Sequence, residues 1–349
     1  MDTPVRNLDL QIHVHTGTPI ENEAQALYTK LKHVGYELED CRELAPLVAQ
    51  IKQLKEERDA LVLCHHFMTA DLIHGIADVV GDASLLVETA RKTDKKTILV
   101  CAIKPLAEAV KIVNPGATVL LPNIEAGCSI ADGITAEDVR ALRRQYPDAV
   151  AITYINSSAA VKAESDYVVT SKNARELIGK LHHRQILFYP DKAVANNLRQ
   201  EFPDKEIIGW DGKCIVHEEY TVERVLHFKK YNPDTHILFH SECDPQVIPH
   251  GHMHGGTHAM MEYVKQHQEV DSFFLVTECG LADTMRAQYP QKKFVGTCAL
   301  CPYMKSINLS NSLRIMAGDS EYGEVIELAP EIAEGAQRAM NNMYRMVQN

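Results

Sequence analysis

Three cysteines recur at nearly equal intervals. Cys128 and Cys214 are 86 residues apart, and Cys214 and Cys301 are 87 apart. Each follows a short apolar run of strand character, at residues 118–122, 206–210 and 293–295. A fixed long period marks a duplicated supersecondary unit. Two further sets of runs keep the same period. Residues 60–65, 149–156 and 236–242 carry His65, Tyr154 and His240 near their ends, spaced by 89 and 86 residues. Residues 97–101, 185–189 and 272–277 form the other set. Each unit reads strand, helix, strand, helix, strand, cysteine. The expected fold is α/β, with three similar α/β domains of about 87 residues around a pseudo-threefold axis. The expected bounds are an N-terminal extension over 1–44, then units over 45–128, 129–214 and 215–324. The C-terminal helix within 325–349 is expected to join the first unit. Three thiols would then converge from equivalent positions.

Composition narrows the function. The chain has 349 residues, 45% of them apolar and 24% charged, as in an ordinary globular protein. A net charge of −11 argues against nucleic acid or an anionic membrane as partner. A small anionic substrate stays compatible, because a helix N-terminus can bind one locally. The first residues carry no apolar signal-peptide core, and no window approaches a membrane span. Nine cysteines in that context point to a reducing, cytoplasmic compartment, with thiols used as ligands or redox groups rather than bridges.

Several local patterns carry chemistry. His13 and His15 alternate as in a short strand. Apolar spacing predicts helices over 43–59, 70–80, 85–93, 105–113, 135–145, 158–164, 174–181, 191–201, 259–266, 283–289 and 330–347. Ser84 and Ser171 stand where helix N-caps are expected, which is also where a phosphate oxygen would sit. His250, His252, His254 and His258 fall within nine residues, and His-x-His spacing can gather imidazoles around a metal. Gly255-Gly256-Thr257 entering a helix is a better phosphate cradle, with backbone amides and one hydroxyl.

Three repeat-related cysteines admit three chemistries. Zinc would take them with a histidine as fourth ligand. Cys298-Ala299-Leu300-Cys301 has the spacing of a redox pair. A 4Fe–4S cluster on three thiolates would leave one iron open to substrate. Composition does not choose among them.

Longer motifs do. Leu121-Pro122-Asn123-Ile124-Glu125-Ala126-Gly127-Cys128-Ser129, Tyr154-Ile155-Asn156-Ser157-Ser158-Ala159, Cys214-Ile215-Val216-His217-Glu218, His240-Ser241-Glu242-Cys243 and Cys301-Pro302-Tyr303-Met304-Lys305 occur in order. With Ile76-Ala77-Asp78-Val79-Val80-Gly81-Asp82 and Val169-Thr170-Ser171, they resemble the quinolinate synthase family from about residue 45 onward. The resemblance implies three α/β domains about a pseudo-threefold axis and a 4Fe–4S cluster held by Cys128, Cys214 and Cys301. Cys298 would be a nearby thiol outside the ligand set. The implied reaction condenses iminoaspartate with dihydroxyacetone phosphate to quinolinate, on the route to NAD, with the open iron as Lewis acid. L-aspartate oxidase or aspartate dehydrogenase would supply the iminoaspartate. His65, Tyr154, Asn156 and His240 would hold carboxylate or hydroxyl groups, and Glu242 would move protons. Ala83 or Ser84, Ser171, Gly256 and Thr257 would meet the substrate's anionic groups.

The sequence also departs from that pattern. The family's His-x-Tyr is His65-His66-Phe67 here, and Phe67 has no hydroxyl to share. Gly-Asp-Ser becomes Gly81-Asp82-Ala83, with Ser84 one residue on, and Gly-Ser-Thr becomes Gly255-Gly256-Thr257. Lost hydroxyls that pair with substrate cost large factors in rate or selectivity. By the resemblance, quinolinate synthesis is the expected activity. A related cluster-assisted dehydration or condensation on another anionic substrate is the alternative. A non-catalytic iron–sulfur redox sensor is the alternative outside enzymology.

Overall fold

The computed structural model describes residues 20–348, so the His13/His15 pair lies outside the described residues. Three parallel sheets organise the chain. The first contains β1 (Ala60–His65), β2 (Val79–Gly81), β3 (Thr97–Cys101) and β4 (Thr118–Leu121), in the order β4-β3-β1-β2. The second contains β5 (Val150–Tyr154), β6 (Tyr167–Val169), β7 (Gln185–Tyr189) and β8 (Glu206–Gly209), in the order β8-β7-β5-β6. The third contains β9 (His236–His240), β10 (Met253–Gly255), β11 (Ser272–Val276) and β12 (Lys293–Phe294), in the order β12-β11-β9-β10. The topology is identical each time, so the sequence period is also a period in strand order. A short strand, β13 (Glu324–Val325), adds antiparallel to the edge at β4.

The strands are apolar because parallel sheets covered by helices are buried on both faces. β3 and β5 are buried along their whole length. In such open sheets ligands bind beyond the carboxyl ends of strands, where the strand order reverses. His65, Tyr154 and His240 are the last residues of the first strand in each sheet, on the side of that reversal.

One device fixes the second strand of every sheet. The Asp78 carboxylate accepts from the Val62 amide at 2.8 Å, and its own amide donates back to the Val62 carbonyl at 2.9 Å. Asp166 repeats both bonds with Ala151, each at 2.8 Å. In the third sheet an imidazole replaces the carboxylate: Nδ1 of His252 accepts from the Ile237 amide at 3.0 Å, and the His252 amide donates to the Ile237 carbonyl at 2.8 Å.

Several expectations need correction. The helix expected over 70–80 ends at Gly75, and residues 79–81 form β2. The apolar spacing of Ile73, Ile76, Ala77 and Val80 runs across a helix end and a strand, and the Asp78 bonds decide the switch. Ser84 is not an N-cap: the cap of the helix Ala83–Lys92 is Asp82, which accepts from the Leu85 amide. Ser171 is not a cap either, since the helix Ala174–Lys180 starts after Asn173. Part of the histidine stretch is β10 rather than a loop. The helix Leu38–Glu57 runs unbroken across residue 45 and packs on β1. The C-terminal helix Pro330–Gln348 packs chiefly on the helix Ala159–Ala163 and on β6, and less on the helix Lys104–Val113 of the first unit. Gly335 sets that closeness, because a Cβ there would stand 2.9 Å from the Ala163 Cβ. Among the described residues no helix is long and apolar enough to cross a membrane.

The recurring strand clasp yields a test. His252→Ala should destabilise the chain by about 1 kcal/mol, the usual net worth of one hydrogen bond. His252→Asp should recover most of it, since carboxylates serve in the other two sheets. Denaturant midpoints of the three proteins check this.

Candidate active site

The carboxyl ends of the three sheets meet at one cavity of about 750 Å³, counted with its open mouth. His65, Ala83, Ser84, Tyr154, Asn156, Ser171, His240, Glu242, Thr257, Cys128, Cys214 and Cys301 all line it. Gly256 alone of the expected site residues does not. A Cβ there would lie 2.3 Å from the Ser171 hydroxyl oxygen, so that hydroxyl fills the space where a side chain at 256 would begin. Gly256 is the N-cap of the helix Thr257–Gln266 and makes no side-chain cap, which leaves first-turn amides unclaimed beside Thr257. The hydroxyl of Ser84 donates to that of Thr170 at 2.7 Å and ties the first unit to the second.

Two imidazoles are held alike. The Phe67 amide donates to Nδ1 of His65 at 3.2 Å, and the Glu242 amide donates to Nδ1 of His240 at 3.3 Å. In each case the amide two residues on fixes the tautomer, so Nε2 carries the hydrogen. Burial drives both rings toward the neutral form. His65 falls to about 3, with His66 and His240 adding to the effect of burial. His240 falls to about 4 although Glu242 pulls the other way. The site thus offers two neutral N–H donors. Phe67 lies edge-on to His65, ring centres 4.6 Å apart, and presents an apolar ring to the cavity.

Glu242 is the central anion. Burial opposes its charge, but His217, His240 and Tyr154 outweigh burial and hold the carboxyl down to about 2. Asn156 donates to Oε1 at 3.3 Å, and Nδ1 of His217 lies 3.2 Å from Oε2. That second contact is a charge contact and not an aligned hydrogen bond, since Nδ1 of His217 has no hydrogen-bond partner. Burial and the Glu242 charge push the Tyr154 hydroxyl well above its ordinary value, so it stays a donor.

The three cysteines share a local geometry. Cys128 precedes the turn Ser129–Asp132, and Cys301 precedes Pro302–Lys305. Amides of Ile130 and Ala131 face the sulfur of Cys128, that of His217 faces Cys214, and those of Tyr303 and Met304 face Cys301. Burial pushes the Cys128 thiol up to about 12 and raises the other two as well. Thiols so disfavoured as anions, yet already met by amide donors, suit a bound metal group that takes their protons' place. This donor set fits an iron–sulfur cluster.

Cys298 is elsewhere. It is bridged to Cys279, with Cα atoms 5.3 Å apart, a span that a disulfide accommodates. The pairing of Glu278 with Ala299 lays the two segments side by side. This overturns a Cys298/Cys301 redox pair and the expectation of no bridges. It leaves the Cys301 thiol free.

The histidine stretch forms no metal cluster among the described residues. His252 clasps β9, and Nε2 of His254 sits 2.7 Å from Arg175. Among the described residues only Cys214, His217 and Glu242 bring three metal-ligand atoms together. Sequence reasoning missed His217, Glu278 and Asp82 as cavity residues. Glu278 follows β11 by two residues, and its place just past an apolar run is the signal that would have found it. Its carboxylate takes the Cys301 amide at 3.3 Å and pairs with Lys305 at 2.9 Å.

A profile described as Quinolinate synthetase A protein matches residues 49–345. The chain belongs to that family. It is 39% identical to quinolinate synthase 1 of Mesorhizobium japonicum, over 84% of this chain and 89% of that protein. It is 38% identical to the quinolinate synthase of Sinorhizobium fredii, over 94% and 90% of the two chains. It is also 38% identical to that of Xylella fastidiosa, over 85% and 86%.

The imidazoles predict an acid limit. Their folded values lie below the unfolded value near 6.5, so the unfolded chain binds protons first. Their contribution is full above pH ~6.5 and is lost as pH falls toward the folded values. Stability followed by denaturant melts should drop between pH 6.5 and 4, and His240→Gln should flatten the slope.

Proposed function

We propose that this protein condenses iminoaspartate with dihydroxyacetone phosphate to form quinolinate, and that Cys128, Cys214 and Cys301 hold a 4Fe–4S cluster. The observation that carries this reading is the meeting of three cysteines, one from each sheet unit, with His65, Tyr154, His240 and Glu242 in one cavity. Bound there, a cluster with three thiolates would supply a Lewis-acidic iron for the dehydration steps.

The chain's own groups have definable tasks. No lysine or arginine lines the cavity among the described residues, so the substrate's anions must be met by neutral donors. The Nε2 hydrogens of His65 and His240 and the amide of Asn156 suit the carboxylates. Thr257, Ser171 and the uncapped start of the helix Thr257–Gln266 suit the phosphate. Glu242 is ionised at neutral pH and is therefore a resting proton acceptor rather than a resting acid. Tyr154 contacts it and can relay a proton. The iminoaspartate would come from an aspartate-oxidising enzyme such as L-aspartate oxidase or aspartate dehydrogenase, and the setting is cytoplasmic.

Phe67 supports a second reading. It puts an apolar ring against His65 where the family's pattern has a hydroxyl, so a related condensation or dehydration of another anionic substrate suits the same cavity. The anaerobic assay of reconstituted protein, with quinolinate detected by mass, separates the two. Quinolinate formation is the expected result. No product from protein whose brown chromophore is intact would overturn it in favour of the second reading. Cys128→Ser, Cys214→Ser and Cys301→Ser should each abolish the chromophore, whereas Cys298→Ala should keep it. Glu242→Gln should keep the chromophore and cut kcat by roughly 10²-fold or more, the usual weight of a proton-transfer group.

A further inference from the structure

Cys214, His217 and Glu242 stand apart from the other cavity residues. Their ligand atoms all lie within 4.8 Å of one another, although they come from two separate segments. His217 is buried, and its two ring nitrogens have opposite situations. Nε2 lies 3.0 Å from the Thr277 hydroxyl, which orients the ring. Nδ1 is buried without a hydrogen-bond partner and lies 3.2 Å from Oε2 of Glu242. A proton or a metal ion can occupy the space between Nδ1 and the carboxylate oxygen.

We propose that in the cluster-free protein Cys214, His217 and Glu242 bind one divalent transition ion of the zinc or ferrous class.

A thiolate, an imidazole and a carboxylate with a fourth position open form an ordinary zinc-type donor set. Ligand atoms around a tetrahedral ion stand about 3.5 Å apart, given metal–ligand lengths of about 2.0–2.3 Å. The 3.2 Å contact is close to that spacing, and the remaining pairs need to close by about 1.3 Å at most. Thr277 supplies the outer hydrogen bond that metal-bound histidines ordinarily have. Access is available from a second cleft of about 1060 Å³ that shares these three residues with the cavity. That cleft is also lined by Asp191, a buried carboxyl whose Oδ2 has no partner. Binding releases the Cys214 thiol proton to solvent, and the ion takes its place on sulfur. Because Cys214 is shared, the single ion and a cluster on all three cysteines exclude each other. Zinc loaded first would then block reconstitution.

Cobalt(II) titration of the full-length apo-protein under argon tests this site. One equivalent should give a thiolate-to-cobalt charge-transfer band. The band should survive Cys128→Ser and Cys301→Ser, and be lost in Cys214→Ser. It should weaken at least tenfold in affinity in His217→Gln and in Glu242→Gln, with circular dichroism confirming that each variant is folded. A band that needs Cys128 and Cys301 and ignores His217 would overturn the proposal, as would the absence of any band in folded apo-protein. Iron and sulfide reconstitution after one equivalent of zinc should yield less than half the chromophore of zinc-free protein. The His217→Gln protein should be insensitive to that zinc, and equal sensitivity would overturn the proposal. Loss of the cluster assignment would show in the cysteine variants' chromophore instead, so the two failures are distinguishable.

Discussion

A buried carboxylate is the constraint that the centre of this protein is built around. Glu242 is only 8% exposed yet ionised, which is costly unless partners surround it. Those partners come from different units. Asn156 and Tyr154 reach it from the end of the second sheet, while His217 and His240 reach it from the segments around the third. Asn197, on a helix of the second unit, donates to the carbonyls of Ser241 and Cys243 at 3.0 Å each and clamps the backbone on both sides of Glu242. Moving the second unit against the third would strand a charge, so those two sheets are tied to each other through the site itself.

The same arrangement gives the cavity its chemical character. Among the described residues no lysine or arginine lines it, and Lys305 is occupied with Glu278 behind Cys301. What remains is a set of neutral donors, the carboxylates of Glu242, Glu278 and Asp82, and three thiols that are unfavourable as free anions. A metal group resolves the thiols, and an anionic substrate meets the donors. Phe67 and Gly256 show how the cavity tolerates departures. The Phe67 ring is absorbed against His65, and the space at 256 is taken by the Ser171 hydroxyl. A hydroxyl missing from the sequence at one position can thus be met by a neighbour from another unit.

The amino-acid sequence determined the period, and with it the repeated strand order. Apolar runs of four to six residues read as buried strands when they recur at a fixed period, and each leads to a residue able to do chemistry. The positions of Cys128, Cys214, Cys301, His65, Tyr154 and His240 follow from that pattern alone. Local spacing misled where two elements shared one apolar rhythm, as from Ile73 to Val80, because periodicity does not reveal which backbone amides a side chain such as Asp78 will claim. It also misled at His250 to His258, where close spacing suggested a metal but His252 spends its Nδ1 on a strand.

Tertiary structure decided what no spacing encodes. The Cys279–Cys298 bridge depends on two segments lying side by side. His217 becomes a site residue only because Thr277 turns its ring toward Glu242, a residue distant in sequence. The C-terminal helix chose the second unit because Gly335 lets it approach Ala163, a contact between residues far apart in the chain. A sequence pattern specifies which residues end a strand and face outward from it. Which strand ends then face one another depends on how the sheets pack, and that is where this site is made.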